Sequence, residues 1–538
     1  MRVSEKRMAE IENVRSLISA RIKGLTLFFL MSLVVSPYAG SQDIPSGEKP
    51  KKIEILHADL WEVDEKIDKD LQQLKGNVRL KHNDVFMSCD SAYYYQKKNQ
   101  VKAFSRIHIE QGDTLHLLGE YLFYDGTSEF AFVQNNVELI DKETHLFTDA
   151  VTYDFVIDIA RYNNRGRIIN GDNTLTSIIG IYYVSKDLFH FKDSVKIVNP
   201  DYIMTADTMD YNTESETALF TGPSELTGDS LYLYCERGWY DTKKNITSIW
   251  RNALIDNRQQ VVRGDSLYYE DNTGFGECFG NMSITDTTDN LIVKGDYAWY
   301  YKDPERFMVT DSAMFIQVSD GDSLFLHSDT LRAVTVTDTS GTGYRLMSAF
   351  YKCKVFSRDL QAACDSLSYS FQDSVIRLYY RPVIWSDENQ LTSDSIALFT
   401  KNRKADRMEL YNAAFVVQQV DTMRFNQTKG RSLTGYFSDN KLYKISISGN
   451  GESIYYLVDK NEIVGVNNAK CASMDIFIEE SRIKEIYEYQ QPEGVIDPPT
   501  STPQTNAHLD GFIWLDNIRP KKIEDIFRKE GSAADAVK

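Results

Sequence analysis

Gly264-Asp265-Ser266-Leu267-Tyr268-Tyr269 decides the fold because it recurs along the chain. A small residue comes first, an acid second, and apolar or aromatic residues then fall on alternate positions. The same phrase reads Cys89-Asp90-Ser91-Ala92-Tyr93-Tyr94, Thr148-Asp149-Ala150-Val151-Thr152-Tyr153 and Ala206-Asp207-Thr208-Met209-Asp210-Tyr211. Further copies begin at Gly295-Asp296, Ser328-Asp329, Cys364-Asp365 and Ser393-Asp394, with weaker ones at Gly119-Glu120 and Cys235-Glu236. The acids are spaced mostly 29 to 36 residues apart, with one double step of 58 between Asp149 and Asp207. Gly180-Ile181-Tyr182-Tyr183 is read as filling that gap, with the acid missing. Self-similarity at such a period marks a repeat architecture rather than a string of separate globules.

A second phrase precedes each copy, with apolar residues at i and i+2: Val78 and Leu80, Ile107 and Ile109, Val137 and Leu139, Val195 and Ile197, Met282 and Ile284, Met314 and Ile316, Val383 and Trp385. Period two means strand, since successive side chains point to opposite faces. Asp125-Gly126 and Asp271-Asn272-Thr273-Gly274 supply turns between phrases. Each unit of about 30 residues is then two strands with one apolar face, which a lone hairpin cannot bury. The expected fold is all-β: about a dozen units stacked over residues 52–480 as an elongated β-solenoid or open jelly roll.

Composition agrees. Of 538 residues only 12 are Pro and 29 Gly, whereas Tyr (32) and Phe (27) are abundant, as β-rich chains favour. Asp and Glu outnumber Lys and Arg 78 to 60, a net charge of -18, so there is no general basic field for nucleic acid. The six cysteines show no CxxC and no Cys/His cluster, which excludes the common zinc patterns. Cys89, Cys235 and Cys364 fill the small slot of the repeat and read as packing residues. The repeated Asp reads as a turn or edge residue, and the eight dispersed histidines as surface or edge residues. No nucleophile triad or phosphate-binding loop occurs. No metal, no cofactor and no enzymatic activity are expected.

The apolar run Leu25–Val35 is too short to span a bilayer, follows Arg21 and Lys23, and precedes Ala39-Gly40-Ser41. Residues 1–41 therefore read as a secretory signal, with Met8 as an alternative start and an uncleaved anchor as the other reading. At the far end, Pro492, Pro498, Pro499 and Pro503 mark a linker at 491–507. Beyond it, in 508–538, Gly511-Phe512-Ile513-Trp514 reads as a docking strand and Lys521 to Lys538 as a frayed helix.

Ile53-Glu54-Ile55-Leu56-His57-Ala58-Asp59, then Leu74-Lys75-Gly76-Asn77-Val78-Arg79-Leu80, then Ser88-Cys89-Asp90 resembles the OstA-like (organic solvent tolerance) family, which includes the periplasmic lipopolysaccharide transport protein LptA. The likeness recurs through most of 52–480, and the tail with Trp514 and Arg519-Pro520 is similar to that of longer OstA-like proteins. The resemblance implies V-shaped antiparallel strands around an apolar groove that shields lipopolysaccharide acyl chains. It further implies a periplasmic location and inner- and outer-membrane transport components as partners. On that reading the i/i+2 residues line the groove, and exposed terminal strands invite end-to-end self-association. A cargo-free structural scaffold or adhesin, and a β-helical polysaccharide-processing enzyme, are the competing readings. The enzyme would need clustered carboxylates, and the sequence offers single, evenly spaced acids.

Overall fold

The computed structural model describes residues 51–63, 70–288, 290–318, 323–401, 404–439, 441–460, 462–480, 482–498 and 508–528. The expected signal, 1–41, lies outside them. The described residues are nearly all β: one continuous antiparallel sheet of 36 strand segments, with three short 3-10 turns. Each rung pairs with the rung before and the rung after it, so the units stack in chain order.

The rungs are bent, and the bend explains the repeat. In the strand Leu71–His82, Gly76 and Asn77 both adopt positive φ (77° and 44°). They stand opposite the single residue Asp90, because Lys75 pairs with Ser91 and Val78 with Cys89. Two residues against one is a β-bulge, which kinks the strand and aims its two arms at each other. The same double left-handed corner recurs at Ser105-Arg106, Asn135-Asn136, Asp193-Ser194, Arg251-Asn252, Gly280-Asn281 and Asp311-Ser312. One arm runs from the corner through residues such as 78–82 and 107–111; the other holds 71–75 and 100–104.

At six corners the acid bonds across the bend. Asn77 Nδ2 donates to Asp59, Asn136 to Glu120, Asn252 to Glu236 and Asn281 to Asp265, at 2.6–3.1 Å. Arg106 and Lys352 do the same with Asp90 and Asp329. At these six corners the acid has an edge role and its partner is the side chain at the next corner, whereas Asp365 accepts from the adjacent Ser366 hydroxyl at 2.9 Å. The Arg106 guanidinium holds the exposed Asp90 carboxyl below the usual carboxylate range. The small slot follows from crowding inside the bend. A Cβ on Gly119, Gly264 or Gly295 would come within 2.5 Å of Val133, Cys278 or Val309.

The double step from Asp149 to Asp207 holds a corner in its middle, at Ser177-Ile178 rather than at Gly180. Ile178 N–H donates to the Asp193 carbonyl at 3.0 Å, and Arg165 N–H to the Ile178 carbonyl. Ile178 takes the place of the acid. Towards the C-terminus the stack continues past 480, through Arg482–Tyr489 and Glu493–Asp497. The latter lies within the stretch read as a linker, yet pairs with 466–470. The remainder of that stretch, 499–507, lies outside the described residues.

Gly280 has φ 67°, and a Cβ there would lie 2.2 Å from Asp265 Oδ2. Gly280→Ala is expected to cost about 1–3 kcal/mol in urea unfolding, and Asp265→Ala in the same chain should recover part of it. Additive losses would show that the two positions do not share one corner.

Candidate functional site

Between the arms runs one continuous apolar interior, from Ile53 to Ile478. Val78, Leu80, Ile107, Ile109, Val137, Leu139, Val195, Ile197 and Met282 all point into it and are buried, and Ile284 packs against it half-buried. After every left-handed pair from Gly76-Asn77 to Asp311-Ser312 the first residue (Val78, Ile107, Val137, Val195, Ala253, Met282 and Ala313) faces inward, because the bulge resets the alternation.

Met314, Ile316, Val383 and Trp385 face the other way. After the corner Asp311-Ser312 the inward residues are Ala313 and Phe315, and after Tyr380-Arg381 the inward strand residue is Ile384. Val383 and Trp385 belong to a separate cluster on the outer face, with Ala363, Leu515 and Ile518. Their strands are covered on both faces and so read as unbroken apolar runs in which period two is lost. Counting from the corner would have found the inward residues.

The interior changes character along the stack. In the first half its mouth is latched by polar pairs that reach from one arm to the other. His82 Nδ1 lies 2.8 Å from Tyr124 Oη, Tyr182 Oη donates to Asp141 at 2.6 Å, and Asn173 Nδ2 donates to Tyr211 Oη at 3.1 Å. Lys142 and Asp187 close the same side at 2.8 Å. Stacked Tyr182, Phe189 and Phe191 fill the space behind them. This part is a sealed core.

From about residue 255 to 405 the arm ends differ. Ile255, Val262, Ile284, Leu291, Phe307 and Leu324 are only partly buried against the interior. Here lies a cavity of about 350 Å³, lined by Phe315, Leu326, Met347, Leu367, Leu378 and Leu398 among others. None of these six belongs to an i/i+2 pair of the sequence repeat. Burial pushes the thiols of Cys89, Cys235 and Cys278 up to about 12, leaving them unreactive packing groups.

On the outer face of the same region, residues 508–528 run back across the strands. Three buried glutamines hold them. Gln427 Oε1 accepts from Leu509 N–H at 2.9 Å. Gln390 accepts from Leu515 N–H and donates to the Ile513 carbonyl, both at 2.7 Å. Gln361 accepts from the Arg519 guanidinium at 2.7 and 2.9 Å. Gly511-Phe512-Ile513-Trp514 therefore docks, though not as a strand, and 3-10 turns at Asp516–Ile518 and Ile523–Phe527 follow. Residues 529–538 lie outside the described residues.

Residues 50–207 match a family model described as OstA-like protein. This part of the chain is OstA-like. No curated protein matches the chain. The OstA-like segment coincides with the latched half of the stack, and the same corner geometry continues through the open stretch beyond it. No helix among the described residues is long and apolar enough to cross a membrane.

Gln390→Ala would leave both tail backbone groups unpaired, a cost of about 1–3 kcal/mol per buried group. Hydrogen exchange across 509–519 should rise markedly while the corner amides stay protected; unchanged exchange would mean the glutamine does not hold the tail. Docking should also depend on pH. His327 lies under Phe527, with ring centroids 4.6 Å apart, and burial lowers its pKa from 6.5. Undocked His327 takes up its proton first, so docking is fully supported above 6.5 and weakens as pH falls towards the lower docked value. The protection factor at 523–527, taken against the intrinsic exchange rate at each pH, should fall several-fold between neutral and mildly acidic pH, and His327→Gln should abolish that fall.

Proposed function

We propose that the protein holds the acyl chains of an envelope lipid, lipopolysaccharide by the chemistry of the OstA-like family, in the open stretch of its interior. The observation that carries this reading is the change from a latched, aromatic-filled core to an apolar mouth with a cavity behind it. Exposing acyl chains to water costs about 0.8 kcal/mol per CH₂. A row of similar apolar rungs offsets that cost with nearly equal sites, and sugars and phosphates stay in solvent at the mouth. The work is carriage or shielding rather than catalysis, in the periplasm, alongside inner- and outer-membrane lipopolysaccharide transport components.

The two ends of the stack suit assembly. Leu60, Trp61 and Val63 on the first rung, and Val495 and Ile496 on the last, are about half exposed or more. End-to-end self-association, or docking on a related β-protein, would pair these edges. The sealed first half favours a second reading, a cargo-free structural scaffold at the cell envelope, and one experiment separates the two.

A photocrosslinking residue placed in cells at Ile284 or Met347 should give a lipopolysaccharide adduct. The same probe at Ser283, on the opposite face, or at Leu139, in the latched half, should give none. Ile284→Asp should impair carriage far more than Ser283→Asp. A well-expressed protein without adducts at Ile284 and Met347 would leave the scaffold reading.

A further inference from the structure

The sequence scatters its histidines, but sheet pairing gathers two of them with a carboxylate. His108 and Glu110 stand at i and i+2 on the strand Gln100–Gln111, whose Ile107 and Ile109 face the interior, so both project from the outer face. The next strand, Leu115–Asp125, runs antiparallel and sets His116 directly opposite Glu110, with His108 on the diagonal. His108 Nε2 lies 3.1 Å from His116 Nδ1 and 3.3 Å from Glu110 Oε1, and His116 Nδ1 lies 3.8 Å from the same oxygen.

These separations form a triangle of a size with chemical meaning. Four ligands about 2.0–2.1 Å from a tetrahedral ion are about 3.3–3.4 Å from one another. The triangle matches one face of that tetrahedron to within half an ångström, and it does so with one atom from each side chain. We propose that His108, Glu110 and His116 bind a divalent transition-metal ion of the zinc class. Two imidazoles and one carboxylate suit such an ion, whereas magnesium and calcium prefer all-oxygen shells. All three side chains are partly exposed, leaving the fourth vertex to water. The ligands come from both strands of one hairpin, so the ion staples the strands Gln100–Gln111 and Leu115–Asp125 across their turn.

Without an ion the same atoms form a hydrogen-bonded network, in which one imidazole must donate to the other. Metal binding requires both lone pairs to point inward instead. The neighbouring pair His145 and Glu138, at 2.9 Å, has only two members and serves as the control.

The test uses the untagged full chain after chelation, titrated calorimetrically with zinc chloride and, separately, with cobalt(II) followed by visible absorption. One equivalent of zinc should bind, cobalt should give the intense bands of a four-coordinate site, and exchange at the 111–115 turn should slow on zinc addition. His108→Ala and His116→Ala should each weaken binding at least tenfold and remove the exchange effect, while His145→Ala leaves both unchanged. These side chains lie on the solvent side of the sheet, and matching circular dichroism would confirm that the variants fold. Absence of stoichiometric zinc binding, or binding that survives His116→Ala, overturns the assignment and leaves the hydrogen-bonded network.

Discussion

Two left-handed residues set against one acid are the constraint on which the rest of the structure depends. A flat antiparallel strand of a dozen residues would send its alternate side chains to two separate faces. The bulge at Gly76-Asn77, and at each homologous corner, folds the strand so that one face closes on itself. Every choice in the repeat follows from holding that bend. At six corners the acid ties down the next corner's Asn, Arg or Lys, the slot before it stays small because the inside of the bend is crowded, and positive φ falls mostly to Gly, Asn, Asp and Ser, which tolerate it best. Where Ile178 replaces the acid, the backbone bonds at Arg165 and Asp193 persist, so hydrogen bonding of the main chain suffices to carry one corner among many.

The bend also determines how the interior can be used. With both arms facing each other, the only freedom left is how the arm ends meet. In the first half they meet through the hydroxyls of Tyr124, Tyr182 and Tyr211 with His82, Asp141 and Asn173, and these buried groups, by pairing, avoid the desolvation penalty of an unpaired one. In the stretch 255–405 the arm ends carry Ile255, Ile284, Leu291 and Leu324 instead. Aliphatic ends offer no directional bond to close the mouth, and what they can do is cover another apolar surface. The same scaffold therefore yields a sealed core or an open trough according to what sits two or three residues from each turn.

Much of this was legible in the sequence, and the failures have physical causes. The acid ladder and the i/i+2 pairs revealed the repeat and the inward residues wherever one face meets solvent, as at Val78 and Leu80. The pattern misled where that condition fails. Around Ala313-Met314-Phe315-Ile316 and Val383-Ile384-Trp385 both faces are covered, so every residue is apolar and alternation no longer distinguishes in from out. The corner at Ser177-Ile178 carries no acid to mark it, so the sequence points to Gly180 instead. The juxtaposition of His108, Glu110 and His116 is invisible in the sequence for a different reason: His108 and His116 are eight residues apart on a hairpin whose register only the paired strands reveal.

The tail solves a problem created by the open stretch. Strands around the cavity forfeit burial on the inside, and a bare outer face would leave Val383 and Trp385 in water. A covering segment that runs across the strands cannot join the ladder, because the backbone groups of central strands are already paired with their neighbours. It needs polar groups that project from the face itself. Gln361, Trp385, Gln390, Val417 and Gln427 stand in one transverse row, register partner to register partner. Within that row the amides of Gln361, Gln390 and Gln427 each supply the donor or acceptor that backbone would otherwise offer, and Trp385 and Val417 supply apolar surface between them. Buried glutamines are costly unless satisfied, so three in register make sense only with the tail in place. The segment 508–528 is thus part of the sheet's outer layer.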